Sequence, residues 1–209
     1  MFKDRNDAGR QLAEKLAQYR GQDAAVLALP RGGVVVGREI AKTLGLPLDI
    51  VVTRKIGHPN NPEYAIGAVD NMGATILNDA EAATVNQAWL ADEIKREIQE
   101  AMRRVKEYRG NRKPIVISGK TALIVDDGIA TGLTMRLAVR SVMAQNPART
   151  VVAVPVAPVE TINDLRREAD EVIVLEPPEK FLGAVGAHYI EFEQVGDDTV
   201  IRLLHQEGT

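Results

Sequence analysis

Two adjacent carboxylates, Asp126 and Asp127, follow the apolar run Ala122-Leu123-Ile124-Val125 and precede Gly128-Ile129-Ala130-Thr131-Gly132-Leu133-Thr134. A buried strand that ends in acidic residues delivers them to the sheet edge where open α/β proteins bind ligands. The loop behind them is built like an anion cradle. Gly128 and Gly132 permit close backbone approach, Thr131 and Thr134 add hydroxyls, and a helix from Leu133 would aim free N–H groups and its positive dipole end at the same spot. A phosphate suits that loop but would be repelled by the carboxylates, which therefore face sugar hydroxyls, Mg²⁺ or both. Together they describe a ribose phosphate. The plain alternative is a solvated strand end with a glycine turn; acidic pair, glycine spacing and paired threonines in one frame outweigh it. No Lys follows Gly132, so the GxxxxGK[ST] pattern of the P-loop nucleotidases is absent.

The elements that position these residues follow from periodicity. Short β-branched runs alternate with helical spacing, which predicts a parallel sheet covered by helices. Strands are expected at Ala24–Leu29, Leu48–Thr53, Thr121–Val125, Thr150–Val156 and 171–175, with weaker ones at 64–69 and 74–77 about the turn Asn71-Met72-Gly73. Helices are expected at 6–19, capped by Asn6 or Asp4, at Val34–Leu44 with Gly45 as the stop, at Leu133–Ala144, near 160–169 and near 197–206. From Asp79 to Tyr108 one long helix or a broken pair interrupts the alternation, as an appendage or a packing face for another subunit. Arg54–Pro62, rich in Gly, Pro and Asn, reads as irregular.

The whole chain, 1–209, reads as one domain with a helical insertion at 79–109. Hydrophobic residues at 45% and charged residues at 26% describe a soluble globular protein, and the lack of Cys excludes a disulfide framework, a thiolate metal site and a Cys nucleophile. No apolar run reaches the roughly 20 residues of a membrane span, and Met1-Phe2-Lys3-Asp4-Arg5 has no leader-like apolar stretch, so a cytoplasmic protein is expected. A net charge of -3 supplies no global field for nucleic acid.

The segment Val125-Asp126-Asp127-Gly128-Ile129-Ala130-Thr131-Gly132 resembles the phosphoribosyl-pyrophosphate (PRPP) signature of the type I phosphoribosyltransferases. Leu29-Pro30-Arg31-Gly32-Gly33 and Thr53-Arg54-Lys55 extend the likeness, and RKIGHPNNPEYAIGAV with LEPPEKFLGAVGAHYIEFEQV carries it over nearly the full length, toward a bacterial subfamily of unassigned acceptor. The resemblance implies a Rossmann-like fold with a mostly parallel sheet and a C-terminal hood at 177–194. It implies transfer of ribose 5-phosphate from PRPP to a nitrogen acceptor, with Mg²⁺ as cofactor and pyrophosphate released. Asp126 and Asp127 would hold the ribose hydroxyls and the metal, and residues Gly128 to Thr134, including Ile129, Ala130 and Leu133, the 5′-phosphate. Arg31, Gly32, Gly33, Arg54 and Lys55 would meet the diphosphate, whose charge calls for glycine-exposed N–H groups and a bidentate cation. Ile56–Ala65 would be the mobile loop, with Glu63 its one carboxylate and His58 the other titratable group; Glu63 is the candidate acid-base residue.

Ala130 stands where 6-oxopurine enzymes carry an Asp, which draws the chain toward the adenine and orotate types. Phe181 and Tyr189, with Phe192 nearby, are candidates for stacking on the acceptor, and His188 reads as a structural partner. A homo-oligomer such as a dimer is expected. The rival reading is a PRPP- or nucleotide-sensing regulator that binds RNA or DNA through Arg103, Arg104, Lys106, Arg109, Arg112 and Lys113. Glu97, Glu100 and Glu107 interrupt that run and disfavour it.

Overall fold

The computed structural model describes residues 1–175 and 181–206. Five parallel strands form the central sheet: β1 (Ala24–Ala28), β2 (Leu48–Ile50), β6 (Thr121–Val125), β7 (Arg149–Val154) and β8 (Glu171–Val174), in the order β2-β1-β6-β7-β8. A smaller antiparallel sheet, β3 (Thr53–His58), β4 (Asn61–Asp70) and β5 (Thr75–Leu77), stands apart from it. The helices are α1 (Arg5–Lys15), α2 (Gly32–Leu44), α3 (Asp79–Ala82), α4 (Gln87–Arg109), α5 (Leu133–Met143), α6 (Val159–Leu165) and α7 (Asp197–His205).

Residue alternation builds the two halves of the core. Val26, Ala28, Leu123, Val125, Val151 and Ala153 face one side, where they pack with Leu12 of α1 and Leu16 just beyond it, Ile40 of α2, Tyr108 of α4 and Leu204 of α7. Ala25, Leu27, Ala122, Ile124, Val152 and Val154 face the other, against Met135 and Val139 of α5 and Ile162 of α6. A strand buried on both faces must be apolar throughout, and Ala-Ala-Val-Leu-Ala and Thr-Ala-Leu-Ile-Val nearly are. Asp4 caps α1 by accepting from the Asp7 N–H at 2.7 Å, and Gly45 ends α2 in the left-handed region at φ 68°.

Two expectations are corrected. The second strand stops at Ile50, and Thr53-Arg54-Lys55 opens β3 rather than closing that strand. Nor is Arg54–Pro62 irregular: β3 pairs with β4 through a hairpin, with register shifts at Ile56/Gly57 and Gly57/His58. The Gly and Pro residues fit this geometry instead of breaking it. A Cβ on Gly57 would lie 2.3 Å from the Pro62 carbonyl, so glycine allows the strands to meet. Gly57 pairs with Ala65 and His58 with Asn61, leaving Pro62 in the bulge between, where no ladder N–H is required.

The 79–109 segment is the broken pair, and it is no appendage. Leu90, with partly buried Trp89, Ile94 and Ile98, packs under the hairpin against Ile56 and Ile66, while Ala101 and Tyr108 enter the main core. On the other side of the small sheet, Ala68 and Ile76 meet Leu137 of α5.

Candidate active site

The acidic pair emerges from the central strand of the parallel sheet, and α2 and α5 start beside it. Gly132 is the N-cap of α5 with φ 81°, a conformation that favours glycine, and no side chain caps the helix there. Its first N–H groups are thus directed at the loop mouth. A cavity of about 260 Å³ is lined by Lys55, Glu63, Ala65, Asp126, residues Gly128 to Gly132, Thr134 and Val185. The glycine loop, one member of the acidic pair and the hairpin lysine therefore share one space.

Burial and then the neighbouring Asp127 charge push the Asp126 carboxyl well above the usual carboxylate range. Asp126 accepts from the Asp127 N–H at 2.8 Å. Asp127 has a different setting: its Oδ2 accepts from Arg5 Nε at 2.7 Å, and its carbonyl accepts from the Tyr189 hydroxyl. The Pro30-Arg31 peptide is cis. The glycines that follow it lie directly on the acidic pair: a Cβ on Gly32 would come 1.9 Å from Asp127 Oδ2, so a side chain there would displace that carboxylate. Arg31 Nη1 is 3.5 Å from Asp197 Oδ1.

Lys55 and Arg54 part company. Lys55 Nζ is 3.1 Å from Glu63 Oε2 in the cavity, whereas Arg54 Nε binds Glu97 Oε2 of α4 at 2.7 Å, as strand alternation demands. Glu63 is 95% exposed, and His58 Nδ1 accepts from the Asn60 N–H at the hairpin tip. Tyr189, expected to stack on an acceptor, is 6% exposed and packs with Phe2, Ala8 and Val156, so its ring belongs to a small apolar core. Phe181 stacks on His188 with centroids 5.2 Å apart, and burial holds His188 below its ordinary range. Residues 177–180 of the expected hood lie outside the described residues.

Arg5 is the residue that pattern reading missed. Its only signal was a charge in the first turn of an amphipathic helix, far in sequence from the pair it touches. The candidate nucleic-acid face is largely neutralised: Arg103 pairs with Glu100 and Glu107, Arg104 with Glu100, Arg109 with Asp49, and Arg112 donates to the Leu48 and Leu204 carbonyls.

Among the described residues no three His, Cys, Asp or Glu side chains are grouped to hold a metal. Two adjacent carboxylates beside a glycine loop and an uncapped helix N-terminus nevertheless fit Mg²⁺, which commonly takes one or two protein carboxylates and completes its shell with water and substrate phosphate oxygens. Among the described residues no helix is long and apolar enough to cross a membrane.

The parallel sheet, the acidic pair and the glycine loop define a phosphoribosyltransferase-type α/β protein, and the model of the phosphoribosyl transferase domain matches residues 3–189. The chain belongs to that family. A provisionally named phosphoribosyl transferase of Mycobacterium tuberculosis is 44% identical over 206 residues, 98% of this chain and 46% of that protein. The chain thus spans about half the length of the curated relatives it matches. The crystal structure of the protein TT1426 from Thermus thermophilus superposes with a TM-score of 0.80 at 42% identity, covering 98% of this chain and 97% of that one. A hypothetical protein from Neisseria gonorrhoeae with bound ppGpp shares the fold, with a TM-score of 0.51 at 17% identity over 98% and 97% of the two chains.

Proposed function

We propose that the protein is a Mg²⁺-dependent transferase that moves the ribose 5-phosphate of PRPP to a nitrogen acceptor of the nucleobase class and releases pyrophosphate. The observation that carries this reading is the single cavity in which the α5 phosphate cradle, Asp126 and Lys55 face one another. Backbone N–H groups of the cradle, with Thr131 and Thr134, hold the 5′-phosphate. Asp126 and Asp127 accept from the ribose hydroxyls and are the residues that would hold the metal; bound there, Mg²⁺ would neutralise diphosphate charge.

Departure of the diphosphate leaves positive charge on the ribose and negative charge on the leaving group, so the protein contributes mainly orientation and fixed charge. Lys55 is the cation of that cavity and would meet the developing negative charge; Arg31 and Gly32, which line the neighbouring cleft with Asp127, would with Gly33 add a second cation and N–H donors on the other side of the acidic pair. Movement of Lys55 from Glu63 toward the diphosphate would draw the hairpin over the site and exclude water. Glu63 would then be freed to take the acceptor's proton. Phe181 remains the candidate contact for the acceptor ring, packed against the apolar cluster that holds Tyr189.

The test is pyrophosphate release from PRPP and Mg²⁺ across purines, pyrimidines and other nitrogen acceptors. Release with one acceptor class is expected. A sensor of the same fold would bind PRPP or a guanine nucleotide bearing diphosphates, release nothing, and shift RNA or DNA in a salt-dependent gel assay. The paired state of Arg103, Arg104 and Arg109 speaks against that outcome.

A further inference from the structure

Arg5 joins three segments that are remote in the chain. Its Nε donates to Asp127 Oδ2 at 2.7 Å, its Nη1 donates to the Glu193 carbonyl at 2.7 Å, and its guanidinium lies 3.7 Å from the Phe192 ring centroid. The side chain is 11% exposed and its carboxylate partner 15%, so the pair is largely removed from water. Gly32 completes the junction, since a Cβ there would also lie 2.9 Å from Arg5 Nε. The backbone around Arg5 is itself fastened to the C-terminal segment: Phe2 N–H donates to His188 O, and Ile190 and Glu191 N–H donate to Phe2 and Lys3 carbonyls, each at 2.9 Å.

We propose that Arg5 is a positioning residue of the active site, which fixes the Asp127 carboxylate for the ribose hydroxyls and seats residues 188–193 beside it. The inference rests on the PRPP reading above. With Oδ2 engaged by Arg5, Asp127 offers Oδ1 to the sugar, so the guanidinium selects which oxygen works and in which rotamer. A flexible ammonium would supply the charge but not the planar fork that spans Asp127 and Glu193 together. Without any cation, two adjacent carboxylates are left facing each other in a poorly solvated place, and Asp127 is free to turn.

The experiment compares the parent with Arg5→Ala and Arg5→Lys by calorimetry with ribose 5-phosphate, with inorganic pyrophosphate, and with PRPP plus Mg²⁺, alongside thermal melts. Arg5→Ala is expected to lose at least about tenfold in ribose 5-phosphate and PRPP affinity while pyrophosphate affinity stays within about twofold. Arg5→Lys should recover part of the loss, and added guanidinium ion should partly restore Arg5→Ala at a temperature below its melt. Folded Arg5→Ala that binds ribose 5-phosphate like the parent would overturn the proposal. Equal losses for ribose 5-phosphate and pyrophosphate would also overturn it, because they indicate general damage. A parent that binds none of the three would instead refute the PRPP reading, and the role of Arg5 with it.

Discussion

Arg31 Nη1 stands 3.5 Å from Asp197 Oδ1, so the arginine of the glycine turn is held by the first residue of α7. The same oxygen accepts the Tyr108 hydroxyl at 2.6 Å, which ties the turn to the inserted helix α4. A helix that interrupts the strand-helix alternation thereby acquires a place in the site's support.

That link has a pH signature. The Tyr108 hydrogen bond, aided by the Arg31 charge, holds the Asp197 carboxyl below its ordinary range, while burial and the carboxylate raise Tyr108 to about 12. A depressed folded-state value stabilises the protein above the unfolded value and is lost as pH falls through the folded one. Asp197→Asn should therefore cost about 1 kcal/mol at neutral pH, allowing for solvent screening, and the gap from the parent should close well below pH ~4. Urea unfolding at several pH values checks this; a gap that persists in acid removes the carboxylate from the explanation.

Replacing both Asp126 and Asp127 by Asn should abolish Mg²⁺-dependent PRPP binding and leave the far-UV spectrum and cooperative melt in place. Asp126 and Asp127 stand just beyond the end of β6, Asp126 on the cavity and Asp127 against Arg5, and neither belongs to an apolar cluster, so the core does not depend on their charge. Calorimetry that returns the parent's PRPP affinity would move the sugar site elsewhere.

The cradle should respond in a graded way. Thr134→Ala removes one charge-assisted hydrogen bond and should weaken ribose 5-phosphate by about 1.5–3 kcal/mol. Gly132→Val should do worse, because φ is 81° and a Cβ would sit 2.6 Å from Thr161 Cγ2, so stability and binding both suffer. If both variants bind ribose 5-phosphate as the parent does, the phosphate lies outside this loop.

Lys55→Ala should lower turnover more than it weakens PRPP binding, since the diphosphate charge grows toward the transition state. Ribose 5-phosphate, which lacks the diphosphate, should bind the variant normally. Cleavage by a protease at the hairpin tip, residues 58–61, should fall when PRPP and Mg²⁺ are added. A tip cut at the same rate with and without ligand would deny any closure.

Most of the parallel sheet was legible because a doubly covered strand has a simple signature, an apolar run followed by helical spacing. The acidic pair and its loop were legible for a related reason: local backbone geometry demands particular residue types in one short stretch. The hairpin was misread because Gly57 and Pro62 accommodate each other across two strands, and a cross-strand partner is invisible to a scan for breakers. Arg54 looked like the twin of Lys55, yet alternation on β3 sends it to Glu97. Arg5 and Tyr189 reach Asp127 from opposite sides of it in the sequence, and only tertiary structure brings them there.

The chain contains one tryptophan, Trp89, and it lies beneath the hairpin, where it lines a cleft with Arg54, Lys55, Gly57, His58, Pro59 and Pro62. An indole in that place is a built-in optical reporter. Any ligand that draws Lys55 across the cavity changes the packing and polarity around the ring. The emission maximum and quenching by iodide would follow hairpin motion in the unlabelled protein, with no second tryptophan to blur the signal.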